Sequence, residues 1–363
     1  MTKLHEVANI GQSIWLDYIS RSLIKSGELK NWVDKGLRGV TSNPSIFEKA
    51  INGSSDYDDD IKKLVSEGKS VDEIYESIVM DDIANAADVL RPVYDSTDGL
   101  DGYVSLEVNP KLAYNTNGTI SEAKRLFSAL NRPNVFIKVP ATSEGVPAIE
   151  ELIGEGVNIN VTLIFSISHY EAIAEAYIAG LERRLKAGKD ISKIASVASF
   201  FVSRIDSFVD PLLKQANRGD LLGKTAIAYA KMVYVRFKEI FFGERWEKLS
   251  KNGARVQRPL WGSTSTKNPD YPDTIYVDNL IGPNTVNTVP TNTLNAFIDH
   301  GIVSSTLESN IDNAKAVLDE VSKIGIDLND VTEKLQAKGV ELFAESFDML
   351  MDSIAKKREK FNR

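Results

Sequence analysis

The sequence predicts an α/β fold, a single (β/α)8 TIM barrel with helical insertions and a C-terminal helical extension. Short apolar or alternating runs recur between helical patterns, which is typical of a parallel sheet whose strands are joined by helices. Eight such runs occur, and most of them are followed by a helical pattern. An open doubly wound sheet is the alternative, because periodicity does not show whether a sheet closes.

The predicted strands alternate with helical stretches as far as residue 279. We place the strands at residues 13–17, 38–42, 103–108, 135–139, 158–164, 194–200, 258–263 and 274–279. Helical patterns between them include Thr119 to Leu130 and Ser168 to Lys186. The second of these begins at a serine cap and ends near Gly188, as helices commonly do.

Two stretches exceed what a minimal barrel needs. Residues 48–98 contain two or three helical patterns, including 71–90, and residues 306–363 are helical again. Apolar residues at helical spacing form one stripe in the second stretch: Val340, Phe343, Phe347, Leu350, Met351 and Ile354. We therefore predict a barrel over residues 1–305 with a helical insertion around 48–98. We expect the extension, residues 306–363, to pack on the barrel, with a subunit interface as the alternative.

Composition restricts the possible classes of protein. The 363 residues are 42% hydrophobic and 26% charged, which is ordinary for a globular chain with a large core. A net charge of -8 argues against nonspecific binding to nucleic acid. No apolar run is long enough to span a membrane and the first residues lack a signal core, so we expect a cytoplasmic protein.

The same composition argues against metal and cofactor sites. There are no cysteines, and the three histidines are scattered without a partner pattern. No glycine-rich nucleotide loop of the usual spacing occurs. We therefore expect neither a metal site nor a cofactor.

Lys138 is the most informative residue. It is the one charged residue in the run VFIKVP (135–140), which is typical of a strand buried on both faces. Removing an ammonium from water favours its neutral amine form, and a neutral amine attacks carbonyl carbons to form a Schiff base. The alternative is a lysine at a strand end that reaches solvent or pairs with a carboxylate.

Polar residues occur on or just after seven successive predicted strands, where the reactive groups of a closed barrel meet. These candidates are Asp17, Asn43, Glu107, Lys138, Asn160, Thr162, Ser199, Arg204, Ser265 and Lys267. Some have a structural alternative: Asp17 as a helix cap, Glu107 as a salt-bridge partner and Thr162 as a strand residue. Taken together, they are hard to assign to packing.

The residue types suit lysine-based carbonyl chemistry. Imine formation needs proton transfers and loss of water, and cleavage of the neighbouring carbon-carbon bond needs a base, for which Asp17 or Glu107 is available. Arg204 and Lys267, with Ser265, match a phosphate. The pattern predicts a class I aldolase-type reaction.

Two segments resemble the signatures of the transaldolase family. GVTSNPSIF (39–47) is similar to the first signature and VFIKVPATSEGV (135–146) to the second, active-site signature. Similar segments run from about residue 11 to 300, and DGLDGYVSLEV (98–108) with the helical end resembles the longer bacterial branch. The resemblance implies a cofactor-free transferase of the pentose phosphate pathway. It would pass a dihydroxyacetone unit from sedoheptulose 7-phosphate or fructose 6-phosphate to glyceraldehyde 3-phosphate or erythrose 4-phosphate.

The resemblance also implies a role for each candidate residue. Lys138 would form the Schiff base and Asp17 would take the C4 hydroxyl proton. Glu107, as acid/base, would hold the water of imine formation with Thr162. Asn43, Asn160 and Ser199 would bind the dihydroxyacetone unit, and Arg204, Ser265 and Lys267 the phosphate. Lys267 departs from the arginine of the better-known branch, which keeps the charge but loses the guanidinium fork.

Competing functions are an aldolase that releases its product to water and a sugar-phosphate binding protein without turnover. In the related small aldolases a tyrosine occupies the position of Phe201, and phenylalanine cannot help to activate that water. A binding protein needs no acid/base set beside a lysine. We expect sugar-phosphate substrates, no nucleic-acid or membrane partner, and a monomer or a homodimer.

Overall fold

The computed structural model describes residues 2–362, in which eight parallel strands are paired in chain order. They are β1 Gln12–Leu16, β2 Gly39–Thr41, β3 Tyr103–Glu107, β4 Val135–Pro140, β5 Ile159–Ile164, β6 Ser196–Phe201, β7 Arg258–Gly262 and β8 Thr285–Val289. Because β8 pairs with β1 as well as with β7, the sheet closes into a barrel. The predicted barrel is confirmed, and the open doubly wound sheet is wrong.

Helices connect the strands and surround the barrel. In the described chain they are α1 Lys3–Ile10, α2 Arg21–Lys25, α3 Glu28–Asp34, α4 Pro44–Asn52, α5 Asp58–Ser66, α6 Val71–Ser96, α7 Thr116–Leu130, α8 Gly145–Glu155, α9 Ile167–Lys186, α10 Ser203–Gln215, α11 Thr225–Phe241, α12 Glu244–Ser250, α13 Ile275–Asp278, α14 Thr291–His300, α15 Ile311–Lys323 and α16 Leu328–Phe361. Helix α7 begins before the predicted Thr119, because Asn115 caps it. Helix α9 is capped by Ser166 rather than by Ser168.

The eighth predicted strand is wrong. Residues 274–279 contain the short helix α13, and the strand that closes the barrel follows it at 285–289. A short apolar run does not by itself distinguish a strand from a buried turn of helix. Here the Thr274 hydroxyl donates to Asp278 one turn later, and the Tyr276 hydroxyl donates to Asp206 of α10. These contacts favour the helix.

The lower half of the barrel, at the amino ends of the strands, is filled by side chains. Trp15, Tyr103 and Phe136 form an aromatic layer, with the last two rings stacked at 4.2 Å between centroids. Gly39 is required beside it, because an added Cβ would lie 2.5 Å from the Trp15 ring. Packing therefore closes this end of the barrel and leaves the carboxyl ends of the strands for a site.

The two predicted helical stretches are helical in the structure. Residues 48–98 contain most of α4 and all of α5 and α6, and the end of the chain contains α15 and α16. The apolar stripe of α16 is buried, except that Met351 is half-buried, and the helix contacts α4, α5, α6, α10 and β5. The division of the chain near residue 305 stays a prediction. Among residues 2–362, no helix has the length and apolar character needed to cross a membrane.

Candidate active site

The register of the strand pairing places Glu107, Lys138 and Asn160 side by side. Glu107 on β3 is paired in register with Lys138 on β4, which in turn is paired with Asn160 on β5. Neighbouring parallel strands direct residues of the same register to the same face. Three adjacent strands therefore present a carboxylate, an amine and an amide at one level inside the barrel.

Lys138 is buried, with 5% of its surface exposed. Its Nζ donates to Glu107 Oε2 at 3.2 Å and to the carbonyl oxygen of Ser42 at 3.3 Å. The Phe343 ring of α16 lies 5.3 Å from the same nitrogen. The lysine thus does not extend to solvent. It lies between a carboxylate and an aromatic ring, at the end of a strand that packing holds in place.

Two carboxylates lie near the amine, Glu107 buried and Asp17 half-buried. Burial raises the pKa of Glu107, and the Lys138 charge opposes that shift. Burial also raises the pKa of Asp17, against the charge of Lys138 and a 2.7 Å hydrogen bond from the Thr41 hydroxyl. Thr41 also hydrogen-bonds Thr288 at 2.7 Å. Both carboxyl groups are consequently better proton acceptors than they would be in water.

A second polar group lies on β5 and β6. The Ser199 hydroxyl donates to Asn160 Oδ1 at 2.7 Å, and the Asn160 amide donates to Ser105 Oγ at 3.0 Å. The Thr162 hydroxyl is buried and finds no hydrogen-bond partner among residues 2–362. A free buried hydroxyl is a position at which a bound water is favourable.

Asn43 has a structural task that the sequence analysis did not assign. Its side-chain oxygen accepts from the Ile46 amide at 3.0 Å and so caps α4. This cap fixes the first turn of α4 beside the cavity. The predicted Asn43 contact to substrate therefore depends on its side-chain nitrogen.

A cavity of about 490 Å³ opens at the carboxyl ends of the strands. The predicted residues that line it are Asp17, Asn43, Lys138, Ser199, Arg204, Ser265 and Lys267. Glu107, Asn160 and Thr162 do not line it; Glu107 adjoins it through Lys138, and Asn160 through Ser199. The structure thus brings the candidates other than Thr162 together in two layers, the residues that line the cavity and Glu107 and Asn160 behind them.

Positive charge gathers on one wall of this cavity. Lys267 Nζ donates to Ser265 Oγ at 2.6 Å. Burial lowers the pKa of Arg204, and burial together with the Arg204 charge lowers the pKa of Lys267. The charge of Asp17 opposes both shifts. Two partly buried cations on one wall favour the binding of an anion there.

The structure adds residues to which the sequence analysis assigned no role. The Ser42 carbonyl accepts from Lys138, Thr41 holds Asp17, and Phe343 and Lys49 line the cavity. Thr41 ends β2 and Ser42 follows it, both within the first signature, so their position was a usable signal. Phe343 carried no such signal, because its contact with Lys138 depends on where α16 lies.

No cluster of metal-ligating side chains occurs in the part of the chain that the structure describes. The fold and the buried lysine with its two carboxylates define a (β/α)8-barrel enzyme with its site at the carboxyl ends of the strands. Many unrelated families of enzymes share this fold, so the fold alone does not identify the family of this chain.

Comparison with known proteins identifies the family of this chain. The Transaldolase/Fructose-6-phosphate aldolase family matches residues 14–354. A transaldolase of Trichodesmium erythraeum (strain IMS101) is 50% identical over 371 aligned residues, which cover 98% of each chain. A transaldolase of Thermobifida fusca (strain YX) is 47% identical over 97% of each chain. The chain belongs to the transaldolase/fructose-6-phosphate aldolase family.

Proposed function

We propose that this chain is a transaldolase. It transfers a dihydroxyacetone unit from sedoheptulose 7-phosphate or fructose 6-phosphate to glyceraldehyde 3-phosphate or erythrose 4-phosphate, as in the pentose phosphate pathway. The observation that carries the proposal is the buried Lys138 amine, 3.2 Å from the Glu107 carboxylate, at the edge of the 490 Å³ cavity. The amine supplies the covalent step, so the reaction needs no cofactor.

Imine formation uses the inner layer of the site. Lys138 first passes its ammonium proton to Glu107, 3.2 Å away. The neutral nitrogen then bonds to the C2 carbonyl carbon of the ketose, and one of its remaining protons passes to the carbonyl oxygen. That oxygen then leaves as water with a second proton from Glu107, whose raised pKa favours holding one. The unpartnered Thr162 hydroxyl is a suitable place for this water.

Cleavage uses Asp17. Its carboxylate takes the C4 hydroxyl proton, the C3–C4 bond breaks, and the aldose phosphate leaves. The electron pair of that bond moves toward the protonated imine and leaves an enamine on Lys138. The reverse steps with a second aldose phosphate form the new bond, and Asp17 returns the proton.

Binding divides between two groups of residues. Asn43 and Ser199 line the cavity and are proposed to hold the dihydroxyacetone unit, while Asn160 acts with Ser199. The phosphate is assigned to Arg204, Ser265 and Lys267. The effect of the Arg204 charge on Lys267 supports this assignment, because a bound phosphate is attracted by both cations.

Phe201 favours transfer over free aldol cleavage. Its ring lines the cavity, between Phe165 at 5.4 Å and Phe343 at 6.4 Å from its centroid. This apolar wall offers no hydroxyl to activate water against the enamine. We therefore propose that the enamine waits for an aldose phosphate acceptor rather than being hydrolysed.

The first test is to trap the imine. The protein is incubated with fructose 6-phosphate and borohydride, and the mass of each peptide is measured, with Lys138→Ala as the control. We expect a reduced dihydroxyacetone adduct on Lys138 that is absent from the variant. Unmodified protein, under conditions that trap a known imine enzyme, contradicts the lysine mechanism.

Acceptor dependence is the second test. With fructose 6-phosphate alone, a transaldolase releases little free dihydroxyacetone, whereas added erythrose 4-phosphate gives rapid turnover. Release of dihydroxyacetone at the same rate with and without acceptor supports the aldolase instead.

We further propose a cytoplasmic enzyme that binds sugar phosphates, binds no nucleic acid and is a monomer or a homodimer. The acidic net charge of -8 supports the absence of nucleic-acid binding. Light scattering of the purified protein measures its mass and decides between the two assemblies. A larger mass contradicts both.

A further inference from the structure

A residue of α16 that the proposed mechanism does not use joins the ends of two catalytic strands. Gln336 is buried, and its Nε2 donates to the carbonyl oxygens of Ala141 at 2.9 Å and Leu163 at 3.0 Å. Ala141 directly follows β4, which carries Lys138, and Leu163 directly follows Thr162 on β5. One side-chain amide thus connects the strand of the Schiff-base lysine to the strand of the proposed water site.

Leu163 has a backbone conformation that requires support. Its φ of +60° lies in the left-handed region, which a branched side chain rarely adopts. The pairing of β5 with β6 is interrupted at the same place, with a register shift between Val161 and Ile164. Conformations of this kind persist only where surrounding contacts fix them, and they concentrate at functional sites.

Thr162 lies inside this irregular segment, next to Leu163. Its hydroxyl is one of the buried polar groups that find no hydrogen-bond partner among the described residues. A rotation of the Leu163 backbone toward regular strand geometry changes the direction of the preceding residue as well. The conformation of Leu163 therefore affects the direction of the Thr162 hydroxyl, on β5 two residues after Asn160, which is the register partner of Lys138.

Other contacts of α16 act on the same segment. A Cβ added to Gly339, nearly one turn after Gln336, would lie 2.8 Å from Leu163 Cδ2, so the helix packs closely on that side chain. His169 Nε2 lies 2.8 Å from Glu333, and His169 Nδ1 lies 3.3 Å from Gln336 Nε2. Helix α16 is thus held against the end of β5 at successive turns.

We propose that Gln336 is a positioning residue for imine formation, which holds Leu163 in its left-handed conformation and so keeps the Thr162 hydroxyl in place to bind the water released there. The inference deepens the transaldolase function proposed above and rests on it. Helix α16 then contributes to catalysis through Gln336, in addition to packing on the barrel.

The test replaces Gln336 by a residue of similar size without the donor. In Gln336→Met we expect the single-turnover rate of imine formation with fructose 6-phosphate to fall by roughly tenfold to a hundredfold, because small displacements of reacting groups cost that much. We expect KM to change by less than about threefold, since the cavity wall is intact. Borohydride quenching at successive times measures the rate.

Lys357→Met is the matched control for a loosened helix. Lys357 ties the far end of α16 to Asp58 and to the Ser54 carbonyl and does not touch β5. We expect its imine rate to equal that of the unsubstituted protein, and circular dichroism reports whether each variant is folded. An equal loss of rate in both variants overturns the positioning role.

A double-mutant cycle with Leu163→Gly tests the backbone argument. Glycine adopts a positive φ without strain. Residue 163 therefore needs the Gln336 hydrogen bond less to stay in the left-handed conformation once Leu163 is replaced by glycine. We expect Gln336→Met to lower the imine rate at least about threefold less in the Leu163→Gly background than in the natural one. The same loss in both backgrounds overturns the proposal.

The two proposals fail in distinguishable ways. An unsubstituted protein that gives no trapped adduct overturns the transaldolase mechanism and this inference with it. Rapid trapping in both the unsubstituted protein and Gln336→Met overturns this inference alone.

Discussion

Asp17 has a proton affinity set by opposing neighbours. Burial raises its pKa above the ordinary 3.8, while Lys138 and the Thr41 hydroxyl act in the other direction. Removing Lys138 or the Thr41 hydroxyl therefore lets burial raise the pKa of Asp17 further. A base whose pKa is near the working pH is an efficient one, so these neighbours would tune the proposed cleavage step.

The Thr41 hydroxyl offers a way to test this balance. In Thr41→Val the pKa of Asp17 rises further, because a hydrogen bond to the carboxylate is lost. We expect the acidic limb of the kcat/KM profile to move up by roughly half to one pH unit. Thr288→Val is the control, since Thr288 contacts Thr41 and not Asp17. An acidic limb that stays in place in Thr41→Val removes Asp17 from the base assignment.

By the resemblance to the transaldolase signatures, Lys267 stands where the better-known branch has an arginine. We expect Lys267→Arg to lower KM for fructose 6-phosphate by roughly threefold with kcat little changed, because a guanidinium can bind phosphate through two parallel hydrogen bonds. Unphosphorylated fructose serves as the control substrate, for which KM should stay the same. A lower KM for both substrates shows that Lys267 does not bind the phosphate.

Most of the candidate site could be predicted because it lies on strand ends. Residues at the carboxyl ends of parallel strands meet once the sheet closes, so spacing along the chain was enough to select Asp17, Glu107 and Lys138. Phe343 and Gln336 could not be selected in this way. They lie on a helix far along the chain, and its position over the barrel depends on packing.

Helix α10 holds the connection between β7 and β8 through buried carboxylates. Asp206 accepts from the Tyr276 hydroxyl at 2.8 Å, and Asp210 accepts from the Tyr271 hydroxyl at 2.7 Å. The same connection carries Lys267. These contacts therefore fix the loop on which part of the phosphate site depends.

Asp206 makes this anchor dependent on pH. Burial raises its pKa from 3.8 to about 7. The folded state thus binds the proton more tightly, so its stabilising contribution is full below pH 3.8 and is lost as the pH rises toward 7. We expect the free energy of unfolding of Asp206→Asn, relative to the unsubstituted protein, to rise by about 1.4 kcal/mol per pH unit across that range.

Urea denaturation of both proteins between pH 4 and 8 measures this difference. Lys214→Met, on the same helix, is the control and should show the slope of the unsubstituted protein. A difference that is constant with pH shows that Asp206 is ionised throughout, which contradicts the assignment.

The eighth strand shows that periodicity alone does not distinguish a short strand from a short helix. The run at 274–279 and the strand at 285–289 are both rich in β-branched residues, and local sequence did not separate them. Pairing with β1 and β7 selected the second, while the first packs as a helix on α10. Tertiary contacts overrode a local preference.

The two ends of the barrel have different tasks in the molecule. At the amino ends, Arg258 donates to Asp101 at 2.9 Å and to the Ser13 hydroxyl at 3.0 Å, with both charged groups buried. The cavity with Lys138 lies at the other end. Residues at the closed end of such a barrel serve stability, and those at the open end serve catalysis.

This separation can be measured. We expect Arg258→Met to lower the free energy of unfolding by roughly 3 to 5 kcal/mol, because Asp101 is left buried without its partner. The folded variant should keep kcat/KM within about twofold, since the site is at the opposite end. Arg132→Met, which breaks a partly exposed pair with Asp88, is the control and should cost about 1 kcal/mol or less. A large loss of kcat/KM in folded Arg258→Met contradicts the separation.

The sequence by itself determined the class of the fold, the lysine and the polar strand ends around it. Alternating strands and helices specify a parallel sheet joined by helices, and a buried charge in an apolar strand marks a site, because both follow from local patterns. Only the tertiary structure decided the closing strand, the two layers of the site and the contacts of α16 with Lys138 and Leu163. Those depend on contacts between residues distant in the chain, which periodicity does not encode.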